Sequence, residues 1–230
     1  MSPKNNHKKR VHRDFPRFVE DLENRILTGG FKPREHLVEA KLSRMFAVSR
    51  YWVRDAFKIL EAKGLVRITP YKGVAVSELE ASELEEIFAV RVPLEQLAWR
   101  LAMHNAVEKD LERLQQIAQD IAQAHAQKSI QAVLAADTEF HDQVLKLCRN
   151  RTLRRLITDL RKRSHIARFA AWSSPEVVRQ VAAEHYQFVE ALRQKDTGQL
   201  DELARRHINH AREFYLFGLR AEGAVAGARP

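Results

Sequence analysis

The sequence predicts a mainly α chain in two parts: an N-terminal unit of three short helices closed by a small β-hairpin, and a C-terminal all-α helical bundle. Three observations carry this. Apolar residues recur at helical spacing through most of the chain. Strand character is confined to residues 65–77, where two β-branched runs flank a turn. The charge divides at the same place: of the net +9, residues 1–77 hold 17 Lys/Arg against 8 Asp/Glu, and residues 78–230 hold 22 of each. A polyanion-binding module joined to an electrically balanced one accounts for that split.

Residues 1–13 carry five Lys/Arg and no acid, which predicts a disordered basic tail. Phe15, Phe18, Val19, Leu22, Ile26 and Leu27 then follow a helical period that Gly29-Gly30 ends. A loop with Pro33 leads to a second short helix through Leu37, Val38, Leu42, Met45 and Phe46. Ser49 stands at the N-cap of a third, which carries Val53, Phe57, Ile59 and Leu60 and stops at Gly64. "LVRIT", "PYKG" and "VAVS" make the hairpin.

From Glu80 onward the pattern is helical throughout. Helices are expected near 80–104, kinked at Pro93, and near 107–126, 129–148, 151–172, 175–195 and 198–220. The single cysteine, Cys148, lies on an apolar stripe and reads as a small buried residue. No apolar run has the length of a spanning helix and no signal-type segment follows the basic start, so a cytoplasmic location is expected.

Two helices, a tight turn, a third helix and a hairpin are the parts of a winged helix-turn-helix, whose third helix enters the DNA major groove. On that helix Arg50 and Arg54 lie one turn apart, with Ser49 and Tyr51 near its N-terminus, where backbone N–H groups favour phosphate. Surface ion pairs of the arginines with Asp55 or Glu61 are the structural alternative.

In the C-terminal part, polar residues interrupt apolar stripes. Asp137 and His141 sit at i,i+4 within Ile130, Val133, Leu134, Phe140, Val144 and Leu145. His185 lies in the stripe of Val178, Val181, Phe188 and Leu192, and His207, with His210 nearby, in that of Leu200, Leu203, Phe214 and Phe217. One carboxylate and several imidazoles converging in a helical bundle suit a divalent metal ion, zinc or nickel first, with manganese or iron also compatible. Arg91 and Glu95 lie in the stripe of the bundle's first helix, either as an internal ion pair or with Arg91 offered to a ligand carboxylate. The "RKR" run at 161–163 reads as a solvated face, and His104, His125 and His165 have no evident partner.

Residues 26–76, and "VSRYWVRDAFKILEAKGLV" in particular, closely resemble the DNA-binding domain of GntR-family transcriptional regulators. The resemblance implies DNA contacts by Ser49, Arg50, Tyr51 and Arg54 and by Gly73 at the wing tip. The sequence departs from the family at Tyr51 and Trp52, where threonine and proline are usual, and at Arg34, where glycine is frequent. Residues 80–220 resemble the helical effector domain of the FadR subfamily, often called FCD-type, whose members often hold a metal by an Asp-x-x-x-His pair and two later histidines. Carried over, those ligands are Asp137, His141, His185 and His207, with His210 as an alternate.

The expected organisation is therefore a tail at 1–13, a winged helix-turn-helix at 14–78, an effector, metal-binding and dimerisation domain at 79–221, and a flexible tail at 222–230. The expected function is a non-enzymatic, homodimeric transcriptional repressor. It binds a double-stranded DNA operator with two-fold symmetry and responds to a small organic acid or sugar acid, with Arg91 facing that carboxylate effector. A metal-sensing regulator is the alternative. A helical metal-dependent hydrolase ranks well behind both, since no general base accompanies the four ligands.

Overall fold

The computed structural model describes residues 14–172 and 174–226, so the predicted tail at 1–13 lies outside the described residues. The chain divides into two compact units between Glu78 and Leu79.

In the first unit, α1 (Phe15–Leu27) begins where the Asp14 side chain accepts from the Arg17 N–H at 2.8 Å, with Pro16 in the first turn. Gly29 ends it at φ 73°, a left-handed conformation that favours a residue without Cβ. Helix α2 (Glu39–Phe46) stops at Ala47. Helix α3 (Arg50–Ala62) is capped by Ser49, whose Oγ accepts from the Trp52 N–H at 3.2 Å. Strands β1 (Val66–Thr69) and β2 (Gly73–Val76) pair antiparallel, Val66 opposite Val76 and Thr69 opposite Gly73. The loop before α2 adds an edge to this hairpin: the Leu37 N–H donates to Val74 O at 2.8 Å, and the Val76 N–H to Glu35 O at 3.0 Å. Phe18, Leu22, Val53, Phe57, Leu60 and Leu65 fill the core beneath.

The second unit comprises α4 (Ala81–Asn105), α5 (Glu108–Ala126), α6 (Ile130–Leu147), α7 (Arg151–Arg163), α8 (His165–Trp172), α9 (Pro175–Gln194) and α10 (Thr197–Ala226). Helix α5 packs on α6 and α9, while α4 packs on α10 and α6, a bundle closed around Leu114, Ile121, Phe140 and Phe188. Cys148 is buried at the end of α6. Helix α4 runs through Pro93 as one element.

Two boundaries differ from expectation. The helix predicted at 151–172 is broken at Ser164, whose hydroxyl donates to Leu160 O at 2.8 Å and accepts from Arg91 Nη1 at 3.2 Å. A serine satisfying its own helix end competes with continuation of the ladder. Helix α10 continues through Ala226 rather than stopping at 220, so residues 222–226 of the predicted tail are helical and 227–230 lie outside the described residues. Among the described residues no helix is long and apolar enough to cross a membrane.

Candidate metal centre and nucleic-acid face

Helices α6, α9 and α10 bring Asp137, His141, His185 and His207 together, with one potential ligand atom from each lying within 4.8 Å of the others. All four are buried, Asp137 to 1 % exposure and His185 to 0 %. Phe140 packs edge-on against His185 at 4.5 Å, and Trp99 stacks on Phe188 at 4.0 Å, so the surrounding core limits ring rotation.

Hydrogen bonds fix which imidazole nitrogen faces inward. His185 Nδ1 donates to Val181 O at 2.7 Å, and His207 Nδ1 donates to Glu184 Oε2 at 2.9 Å. His141 Nδ1 faces Glu95 Oε2 at 3.8 Å. The Nε2 atoms are then left to converge: His141 and His207 at 3.1 Å, and His141 and His185 each at 3.4 Å from Asp137 Oδ1. Among the described residues His185 Nε2 has no hydrogen-bond partner. With metal–ligand bonds of about 2.0–2.2 Å, neighbouring ligand atoms stand roughly 3.0 Å apart at right angles and roughly 3.4 Å apart at tetrahedral angles. The donor set and its spacings fit a divalent cation.

The protonation states agree. Burial, followed by the positive charge of Arg161, pushes His141 down to about 3, and burial also lowers His185, so both rings are neutral near pH 7. Burial alone would raise Asp137, but His141, His185 and Arg161 override it and hold its carboxyl well below the ordinary range. Neutral imidazoles and an ionised carboxylate are what a cation requires.

Three arginines surround the quartet. Arg161 Nη2 and Arg168 Nη1 each donate to Asp137 Oδ2 at 3.3 Å, and Arg91 Nε donates to Glu95 Oε1 at 2.6 Å. Arg91, Arg161 and Arg168 also line a cavity of about 30 Å³ that opens beside Asp137, His141 and His207. The sequence reading of 161–163 as a solvated face is corrected for Arg161, which is buried. Its signal was present, because Leu153, Ile157 and Arg161 share one stripe at four-residue spacing. Arg168 gave no such signal, since its orientation depends on the break at Ser164. Glu184 was also missed: it takes His207 and, through Oε1, His210 Nε2 at 3.0 Å and Arg206 Nε at 2.7 Å. His210 thus faces Glu184 rather than the converging Nε2 atoms. His165, without an evident partner in sequence, is buried with Nδ1 donating to Lys162 O at 2.9 Å.

On α3 of the first unit, Arg50, Tyr51 and Arg54 are exposed, Tyr51 to 71 %. Arg54 pairs with neither Asp55 nor Glu61; its Nε donates to Glu39 Oε1 and Oε2 at 2.8 and 2.9 Å. Trp52 turns inward, edge-to-face with Phe15 at 5.6 Å. Of the two unusual aromatics, only Tyr51 is therefore presented outward. Gly73 opens β2 at φ 89° with no atom near the position of a Cβ. Arg34 occupies a left-handed φ of 62°, a conformation glycine adopts without strain, and its guanidinium is paired with Glu78.

A family model described as bacterial regulatory proteins, gntR family, matches residues 17–76, and one described as the FCD domain matches residues 86–210, more than half of the chain. The chain belongs to the GntR family and carries an FCD domain. The chain is 28 % identical over 197 residues to the uncharacterized HTH-type transcriptional regulator YdhC of Bacillus subtilis, covering 85 % of this chain and 88 % of that one. It is 29 % identical over 205 residues to a probable D-xylose utilization operon transcriptional repressor of Paenarthrobacter nicotinovorans, covering 89 % and 85 %. The solved structure of E. coli McbR/YncC shares the fold at a TM-score of 0.74 and 21 % identity, covering 90 % and 97 %. This GntR-family protein is a transcriptional regulator and not an enzyme, which removes the hydrolase alternative. Members of the family bind DNA operators and usually act as dimers.

Proposed function

We propose that this regulator is a homodimeric, cytoplasmic repressor that holds a divalent cation on Asp137, His141, His185 and His207 and releases or rearranges on its operator when a small carboxylate binds beside them. The observation that carries the reading is the convergence of the His141 and His185 Nε2 atoms on Asp137 Oδ1 and of His207 Nε2 on His141 Nε2, with the Nδ1 atoms of His185 and His207 turned to outer acceptors. Zinc or nickel fits the donor set first, with manganese or iron also compatible. Bound there, the cation supplies Lewis-acid positions for oxygen ligands.

Charge explains why the effector is an anion. Arg91, Arg161 and Arg168 contribute three positive charges and Glu95 and Asp137 two negative ones, a sum of +1 in a buried space. A divalent cation raises it to +3, and buried charge is costly unless neutralised. A ligand carboxylate meets that need, with Arg91, Arg161 and Arg168 orienting it.

The DNA-reading group is Arg50, Tyr51 and Arg54 on α3, with Ser49 holding the helix N-terminus and Gly73 allowing close approach of the hairpin tip. Two such heads on a two-fold operator give the specificity that one short helix lacks. The effector acts only through its differential affinity for two states of the dimer, a coupling of about 1–3 kcal/mol.

The test measures operator affinity by fluorescence anisotropy at saturating metal, with and without a series of organic acids, on the parent and on His207→Ala. The variant should bind the operator as the parent does and ignore every acid. A variant that still responds like the parent, or that stays folded and loses both properties, overturns the mechanism. A second reading, in which the metal itself is the signal, is favoured by the small volume of the cavity, about 30 Å³, which admits an ion or a water but no acid skeleton. Operator affinity that follows metal occupancy and no acid would select it.

A further inference from the structure

We infer that the effector carries its carboxylate on an apolar body and spans two cavities that the Trp172 side chain separates. The inference rests on the metal-centre reading above and adds the ligand's shape and polarity. The 30 Å³ cavity beside the quartet has no room for a carbon skeleton, but a second cavity of about 530 Å³ has the volume of an ordinary small-molecule site. Among the described residues Trp172 is the one common to both linings.

The two spaces are one helical turn apart on α6 and adjoin one another along α9. Helix α6 gives Val133 to the large cavity and Asp137 to the small one; α9 gives Pro175 and Val178 to the large and Val177 and Val181 to the small. Four helical residues advance about 6 Å, a span that a chain of four or so methylenes covers. Turning the Trp172 indole aside joins the apolar volume to the arginine-lined one.

Polarity fixes the class of ligand. The floor of the large cavity is Val133, Trp172 and Val178, all buried, and its polar groups, His125, Lys128 and Ser129, lie with Ile130 and Pro175 at the half-buried to exposed rim. Among the described residues no carboxylate lines it. The hydroxyls of a sugar acid would lie unpaired against that floor, whereas an aliphatic or aryl-alkyl chain gains by burial. The rim also gives such a chain a route in from the surface.

The test is calorimetric titration of the full-length, zinc-loaded protein with acetate, hexanoate and gluconate. Hexanoate should bind at least tenfold more tightly than acetate, because each buried methylene contributes about a fourfold gain, and gluconate no more tightly than acetate. Val178→Trp, which narrows the large cavity from its buried floor, should bring hexanoate down toward the affinity of acetate. Ile130→Glu, an exposed rim change that the fold tolerates, should weaken hexanoate severalfold. Hexanoate should change the tryptophan emission of the parent and not that of Trp172→Phe, although Trp52 and Trp99 remain in both. Equal affinity for hexanoate and acetate, or a chain-length preference that survives Val178→Trp, overturns the two-cavity ligand and leaves the metal-centre reading standing. Binding of none of the three acids to zinc-loaded protein overturns the two-cavity ligand together with the carboxylate effector, and selects the reading in which the metal itself is the signal.

Discussion

His141 on α6 and His207 on α10 face each other through Nε2 atoms 3.1 Å apart, although 66 positions separate them in the chain. Two such nitrogens can share at most one proton, whereas a cation accepts both lone pairs. The pair is therefore better satisfied with a metal than without one, and its energetics can be measured.

Metal should stabilise the C-terminal unit. Chelation removes the group that binds both lone pairs and Asp137 Oδ1, so the melting temperature should fall by roughly 5–10 °C and recover on adding metal back. Scanning calorimetry with elemental analysis of protein purified without chelator checks this. Protein that carries no transition metal and gains nothing from added zinc or nickel contradicts it.

Glu184 should set metal affinity from outside the ligand set. Its Oε2 accepts from His207 Nδ1, which fixes the tautomer and enriches the ring. Glu184→Gln should weaken metal binding by about 10–100-fold, measured by competition with a chromogenic chelator. Arg206→Ala, which removes only a half-exposed partner of Glu184, should change it far less.

Acid should destabilise the metal-free protein well above the carboxylate range. His141 at about 3 and His185, also lowered, both lie below the ordinary 6.5, chiefly through burial. With folded values depressed, the unfolded chain protonates first, so this stability is complete above about pH 6.5 and is lost as pH falls toward about 3. Each such histidine costs about 1.4 kcal/mol per pH unit in that window. His210, raised by its bond to Glu184 and partly exposed, works in the opposite direction and offsets little. Urea unfolding of chelated protein should give a stability about 2–4 kcal/mol lower near pH 5.5 than near pH 7.5. Equal stability at the two pH values would falsify the assignment of neutral buried rings.

Operator binding should depend on both arginines of α3. Arg54 is held by Glu39 through Nε, which leaves its two Nη groups for a base edge. Arg54→Ala should cost about 1–3 kcal/mol of operator affinity, and Arg50→Ala together with Arg54→Ala should abolish specific binding, read by anisotropy at fixed salt. Ser49→Ala should act differently, lowering the stability of the first unit by about 1 kcal/mol through loss of the cap. Unchanged affinity in the double variant removes α3 as the reading element.

What sequence determined here is local. Caps and period place α1 to α3, because Ser49 must satisfy the first N–H groups of its helix and the apolar spacing must face one core. Asp137 and His141, one turn apart within an apolar stripe, are conspicuous for a related reason: a polar group on a buried face demands a partner wherever the chain runs. What only tertiary structure decided is which groups answer that demand. Arg168 reaches Asp137 only because the chain breaks at Ser164, and Arg161, written within a basic run, is buried through the stripe it shares with Leu153 and Ile157. Glu184, beside His185 in sequence, bonds His207 instead, since consecutive helical residues point about 100° apart and α10 occupies that side. The two cavities, and Trp172 between them, follow from how seven helices fill space, a long-range packing outcome that no residue spacing encodes.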